Sequence, residues 1–186
     1  MIENEFKIML NLEQYKKLLG MYEWNEVIEQ TNHYYDSENM LLSELHITCR
    51  VREIAGKYFL QMKFPGAVEY SRVEMEKPLD SLPEEIDADE AVRPHPHGHP
   101  MLPRVKRLGT LKTTRNVHCF EGGEIDLDKS EYFGKTDYEL EIEFTDEKSA
   151  RKVLSEIKEK LGIEPNSEVC AGKIRRFLGE YLKAKK

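Results

Sequence analysis

The sequence predicts an α+β fold: a closed antiparallel β-barrel of eight strands, flanked by helices. Three observations lead there. Segments in which apolar and polar residues alternate recur along most of the chain, the mark of strands with two unlike faces. Short turn signals link successive segments, and short connections join antiparallel neighbours. Apolar stripes at helical spacing are few, so the sheet is the main body; eight strands suffice to close a barrel that holds one small ligand. A length of 186 residues fits one domain over 1–186 with a sizeable core, interrupted by a flexible loop near 93–103.

Residues 2–10 alternate as a strand. Asn11 with Gln14 three positions on offers a capping box, and Leu12, Tyr15, Leu18, Leu19 and Tyr22 follow helical spacing. Strands are expected near 27–35, 46–54, 57–64 and 69–76, with Ala55-Gly56 as the turn of a hairpin. The acidic stretch 81–92 reads as helical. Residues 93–103 carry four prolines and a glycine and read as a loop. Strands resume near 109–120, 124–128 and 137–145. Thr145 is positioned to cap a helix over 146–161, with Ala150, Val153, Leu154, Ile157 and Leu161 as its stripe and Gly162 as its stop. A last helix starts near Ser167, with Ile174, Phe177, Leu178, Tyr181 and Leu182 on one side.

Composition narrows the function. With Lys+Arg 28 against Asp+Glu 35 the net charge is −7, which argues against a reader of nucleic-acid backbone. No apolar run approaches the roughly 20 residues of a membrane span, and no basic-then-apolar leader opens the chain. Cys49, Cys119 and Cys170 are odd in number and far apart, which fits reduced thiols in a cytoplasmic protein, each a small buried apolar residue.

The polar faces of the strands hold an unusual set of residues. Glu3, Glu5 and Lys7 share one face of the first strand, since side chains two apart point the same way. Arg50/Arg52, Arg72/Glu74/Glu76, Asp126/Asp128 and Glu139/Glu141/Glu143 repeat the device. An ordinary antiparallel sheet turns its polar face to water. Paired arginines suggest otherwise, because a guanidinium keeps its charge when desolvated and grips phosphate bidentately. Turned inward, these faces make a charged tunnel, and the apolar faces then need the helical stripes as cover.

In this order the motifs resemble the CYTH family, the triphosphate tunnel metalloenzymes that include thiamine triphosphatase, inorganic triphosphatases and class IV adenylate cyclase. Glu3, Glu5 and Lys7 match its E-x-E-x-K; Arg50 and Arg52 its R-x-R; Lys63 the Lys on the next strand; Arg115 a later strand Arg. Asp126-Leu127-Asp128 followed by Glu139 and Glu141 matches D-x-D leading to E-x-E, and Lys173 the Lys of the C-terminal helix segment. The likeness runs from residue 2 to about 182 and is greatest to small single-domain bacterial members.

The resemblance implies a metal-dependent phosphohydrolase acting on inorganic triphosphate or an organic triphosphate, with class IV adenylate cyclase activity or non-catalytic polyphosphate or nucleotide sensing as alternatives. It implies Mg²⁺ or Mn²⁺ held by Glu3, Glu5, Asp126, Glu139 and Glu141. Phosphate contacts fall to Lys7, Arg50, Arg52, Lys63, Arg115 and Lys173, and direct catalytic roles to Glu5, Lys63 and Glu141. The charges are consistent with this. Six matched cations and five matched acids leave the site near +1, while a triphosphate carries roughly four to five negative charges, its terminal groups titrating near 6. One or two divalent ions raise the site to about +3 or +5 and suit all-oxygen ligands. The implied partner is a triphosphate-containing small molecule, with no nucleic acid and no membrane, the protein being a monomer or homodimer.

Other residues carry less. His95, His97 and His99 fall in the Pro-rich loop without supporting neighbours for a metal. His33 reads as a packed strand residue, Trp24 as a packing residue, and Lys106 and Arg107 as a solvated turn. No P-loop is present.

Overall fold

A computed structural model describes residues 2–68, 71–91, 101–164 and 172–185. The strands are β1 (Ile2–Leu10), β2 (Glu26–Asp36), β3 (Thr48–Ile54), β4 (Lys57–Pro65), β5 (Ser71–Leu79), β6 (Glu85–Asp87), β7 (Arg104–Phe120), β8 (Gly123–Tyr132) and β9 (Lys135–Phe144). The helices are α1 (Leu12–Leu19), α2 (Leu41–Glu44), α3 (Ala88–Ala91), α4 (Glu147–Leu161) and α5 (Lys173–Ala184). The strand order is β2-β3-β4-β5-β1-β9-β8-β7-β6, and β2 also pairs with β7. The fold class is therefore the expected closed antiparallel barrel of eight strands with accompanying helices; the three-residue β6 pairs with β7 outside the ring.

The chain divides into two compact units. One holds Gln30–Leu111 and α5; the other holds Glu3–Glu29 and the chain from Lys112 through α4.

In the first unit, β3 pairs with β2 and β4 so that Cys49, Val51, Leu60 and Met62 share one face and Arg50, Arg52 and Gln61 the other. The apolar face joins Tyr35, Leu42, Ile47, Phe64, Ile86 and Val105 in a buried core. Ala55 and Gly56, at φ 49° and 74°, form the tight β3–β4 turn. Gly fits this geometry without cost, whereas Ala55 is held there by the hairpin.

In the second unit, Ile8, Ile125, Leu127, Leu140 and Ile142 form the buried apolar face. Helix α1 covers it, with Tyr15 against Tyr138 at 4.6 Å between ring centres. Asn11 and Gln14 make the expected capping box. Phe6 stacks on Phe144 at 4.6 Å, and the Arg151 guanidinium lies 4.8 Å from the Phe6 ring.

Several local expectations are corrected. Asp146, not Thr145, caps α4: its carboxylate accepts from the Lys148 and Ser149 backbone N–H groups, while the Thr145 hydroxyl donates to the Gly122 carbonyl. Residues 85–87 are a strand, because Ile86 pairs opposite Val105, and among the described residues of the stretch read as helical the helix occupies 88–91. Strand β7 begins at Arg104 rather than near 109, which places Lys106 on an exposed strand with Glu85 at 3.4 Å rather than in a turn. Cys49 is buried as expected, but Cys119 is exposed. The stripe of α5 does not cover an apolar sheet face: Phe177 packs on Tyr34, 4.9 Å between ring centres, and Tyr34 stands opposite Arg50. Leu12 and Leu182, at the ends of their stripes, are exposed. His95, His97, His99 and Cys170 lie outside the described residues, as does the expected start of the last helix.

Candidate functional site

Period-two alternation puts Glu3, Glu5 and Lys7 on one face of β1, and the β1–β9 register sets Glu5 opposite Glu143 and Lys7 opposite Glu141. The β8–β9 hairpin, turned at Phe133 and Gly134 with positive φ, sets Asp126 opposite Glu141 and Asp128 opposite Glu139. Strand β7 adds Arg115 opposite Asp128. One face of this unit thus gathers Glu3, Glu5, Glu124, Asp126, Asp128, Glu139, Glu141 and Glu143 around Lys7 and Arg115.

The two cations bind the carboxylates closely. Lys7 Nζ lies 2.7 Å from Glu141 Oε1 and 2.9 Å from Glu5 Oε2. Arg115 donates through Nε to Asp128 Oδ1 at 2.8 Å and through Nη2 to Asp128 Oδ2 at 2.7 Å, the bidentate geometry that suits a planar fork. The same Nη2 reaches Glu141 Oε2 at 2.5 Å, and Nη1 faces Asp126 Oδ2 and lies 3.7 Å from Glu143. Burial acts to lower the Lys7 and Arg115 pKa values, but the surrounding carboxylates, led by Glu141 for Lys7 and Asp128 for Arg115, outweigh it and hold both well above their ordinary values.

Two cations do not neutralise eight carboxyl groups. Asp126 is fully buried, yet neither carboxyl oxygen accepts a hydrogen bond among the described residues, although Oδ2 has Arg115 beside it. Burial pushes its pKa up to about 7, against the pull of Arg115 and with a contribution from Glu141. Burial likewise pushes Glu143 up to about 8, again opposed by Arg115 and aided by Glu3. Oxygens of Glu3, Glu5 and Glu143 lie within 4.8 Å of one another, as do those of Glu124, Asp126 and Glu143. Hard oxygen donors, buried or partly buried and grouped in this way, fit a divalent cation.

The first unit carries the other predicted residues. Arg50 is buried, and its Nε donates to Gln61 Oε1 at 2.8 Å, while Gln61 Nε2 donates to Glu76 at 2.6 Å. Arg52 Nε approaches Asn32 Oδ1 at 3.4 Å. Lys63 lies 3.5 Å from Glu74, and Lys173 is buried at the start of α5.

The structure therefore groups Glu3, Glu5, Lys7, Arg115, Asp126, Glu139 and Glu141 in one unit, and Arg50, Arg52, Lys63 and Lys173 lie in the other. Sequence reasoning did not assign Glu143, Glu124, Gln61 or Asn32. The extension of Glu139/Glu141 by one more period of two signals Glu143, and the same period carried back from Asp126/Asp128 signals Glu124; nothing local signals Gln61 or Asn32, whose partners come from neighbouring strands. His33 is buried as expected, with Nδ1 3.1 Å from Thr110 Oγ1 and Nε2 3.4 Å from Glu53. Trp24 packs, its indole N–H donating to the Leu19 carbonyl.

The chain is similar to known proteins over nearly all its length. The CYTH domain family matches residues 1–171, which includes every predicted site residue except Lys173. The Bacillus subtilis (strain 168) protein named "Putative triphosphatase YjbK" is 31% identical, over 98% of this chain and 97% of its own length. The solved structure of a "putative adenylate cyclase" from Bacillus halodurans is 26% identical, with a TM-score of 0.70 over 94% of this chain and 96% of that one. A Hippeastrum protein described as a "putative adenylyl cyclase" with "a dominant triphophatase activity" shares the fold, with a TM-score of 0.74 at 22% identity over 96% of both chains. By the family match over residues 1–171 and the 31% identity to a relative along nearly its whole length, the chain belongs to the CYTH domain family.

Proposed function

We propose that the protein hydrolyses a phosphoanhydride bond of inorganic triphosphate or an organic triphosphate, with Mg²⁺ or Mn²⁺ as cofactor, in the cytoplasm. The observation that carries the reading is the acidic face of β1, β8 and β9, where buried Asp126 has Arg115 beside it but accepts no hydrogen bond among the described residues. The name of the Bacillus subtilis relative points the same way.

Glu3, Glu5 and Glu143 are the proposed holders of one cation, and Glu124, Asp126 and Glu143 offer a second oxygen-lined group. A cation held there would neutralise phosphate oxygens and supply an activated water. Glu139 and Glu141 complete the negative face; Glu141 also fixes Lys7 and Arg115. Lys7 is directed by Glu5 and Glu141, so its ammonium is preorganised for a phosphate oxygen without rotamer search. Arg50, Arg52, Lys63 and Lys173 supply fixed positive charge that stabilises charge building on the transferring and leaving phosphates. Arg115, already gripped by carboxylates, chiefly balances their charge and is a phosphate contact only in addition.

Phosphate release from tripolyphosphate, thiamine triphosphate and ATP with Mn²⁺ tests the reading. Turnover of at least one is expected in the wild type, and Glu5→Gln or Glu141→Gln is expected to lower it at least a hundredfold with the fold retained by circular dichroism. The name of the Bacillus halodurans structure keeps adenylate cyclase as the second reading; cyclic AMP formed from ATP, without inorganic phosphate release, would replace the first by the second. Tight binding without turnover would make the protein a sensor.

A further inference from the structure

On the Arg50/Arg52 face a buried amide donor has no partner among the described residues. Asn32 of β2 stands opposite Arg52 of β3, so the two side chains share a face. Asn32 is 1% exposed. Its Oδ1 lies 3.4 Å from the Arg52 Nε. A guanidinium only donates, so this contact settles which end of the amide is oxygen. The other end, Nδ2, is buried and donates to no atom among the described residues. Buried amide N–H groups are nearly always paired, and leaving one unpaired costs the folded state free energy.

An N–H group cannot ligate a cation, and beside two arginines the acceptor that fits is an anion. We propose that Asn32 is a substrate-binding residue whose Nδ2–H donates to a phosphate oxygen of the triphosphate that Arg50 and Arg52 take. The inference rests on the triphosphate reading above and extends it. Arg52 contributes charge; Asn32 contributes a neutral, directional donor and holds Arg52 through its oxygen. A neutral donor adds orientation without adding to the desolvation cost that a third cation would bring.

The experiment is calorimetric titration of the holoprotein, loaded with Mn²⁺, with the imido analogue of tripolyphosphate, alongside thermal melts of the ligand-free protein. Asn32→Ala is expected to weaken binding about tenfold while leaving the ligand-free melting temperature unchanged or raised, since it removes an unsatisfied donor. In an Arg52→Gln background Asn32→Ala is still expected to weaken binding several-fold, because the contact is direct. No further loss in that background would make Asn32 only a positioning residue for Arg52 and overturn the proposal. A lowered melting temperature with unchanged affinity would overturn it as well. Should Asn32→Ala fail to fold, Asn32→Asp keeps the acceptor for Arg52 and loses the donor; wild-type affinity in that variant would be equally decisive against it. A wild-type protein that does not bind the analogue would instead refute the triphosphate reading itself, so the two failures are told apart.

Discussion

Asp126 and Glu143 retain protons at a pH where carboxyls in water have lost them, and this follows from burial first and from their acidic neighbours second. The consequence for stability has a definite sign. Between about pH 4 and pH 8 the folded state binds more protons at these groups than the unfolded chain does, so their contribution to stability falls as pH rises. In the metal-free protein the melting temperature is therefore expected to decline from pH 5 to pH 8.5 through these two groups, and the double variant Asp126→Asn/Glu143→Gln should flatten that decline. Metal binding requires the deprotonated form, so it expels protons. Mn²⁺ affinity is expected to rise from pH 6 to pH 8.5, with proton release at pH 7 measured by calorimetry in two buffers of different ionisation enthalpy. Binding that releases no protons at pH 7 would show that neither residue is a ligand.

At the level of elements, the β8–β9 hairpin sets the register of the acidic face, and Gly123 is its tightest point. A Cβ on Gly123 would meet the Glu143 carbonyl oxygen at 2.3 Å and the Phe120 ring at 2.8 Å. A backbone carbonyl in a ladder cannot move aside, so Gly123→Ala is expected to cost about 1–3 kcal/mol in urea unfolding. It should also weaken Mn²⁺ binding, since Glu143 would shift with its strand. Elements of this kind show where sequence legibility begins and ends. Glu3/Glu5/Lys7 and Arg50/Arg52 were readable because a strand's period of two is fixed by backbone geometry alone. The Asn11–Gln14 box and the Gly162 stop, at φ 66°, were readable because caps are local chemistry. The choice of Asp146 over Thr145 was not, since both can cap and it is the Thr145 hydroxyl, not the Asp146 carboxylate, that turns to the Gly122 carbonyl. Nor was β6, which exists because β7 pairs with it. The face covered by α5 depended on Tyr34 meeting Phe177, residues far apart in sequence.

For the whole molecule, a net charge of −7 opposes a polyanionic ligand on average, yet the charges are sorted. Carboxyls outnumber cations on the β1–β8–β9 face of one unit, and Arg50, Arg52, Lys63 and Lys173 lie in the other. This sorting predicts an order of binding effects. A ligand that binds only the folded state stabilises it by mass action, about 2.7 kcal/mol at a concentration one hundred times its Kd. Mn²⁺ alone is expected to raise the melting temperature, because it relieves the crowded carboxyls, and the imido analogue of tripolyphosphate should add a second increment in its presence. Arg50→Ala should keep the Mn²⁺ increment and lose most of the analogue's. Glu5→Gln should reduce both, since the analogue is repelled by carboxylates that no cation offsets. If the analogue stabilised Glu5→Gln fully without Mn²⁺, phosphate binding would be independent of the acidic face, and that face would have to serve something other than the triphosphate.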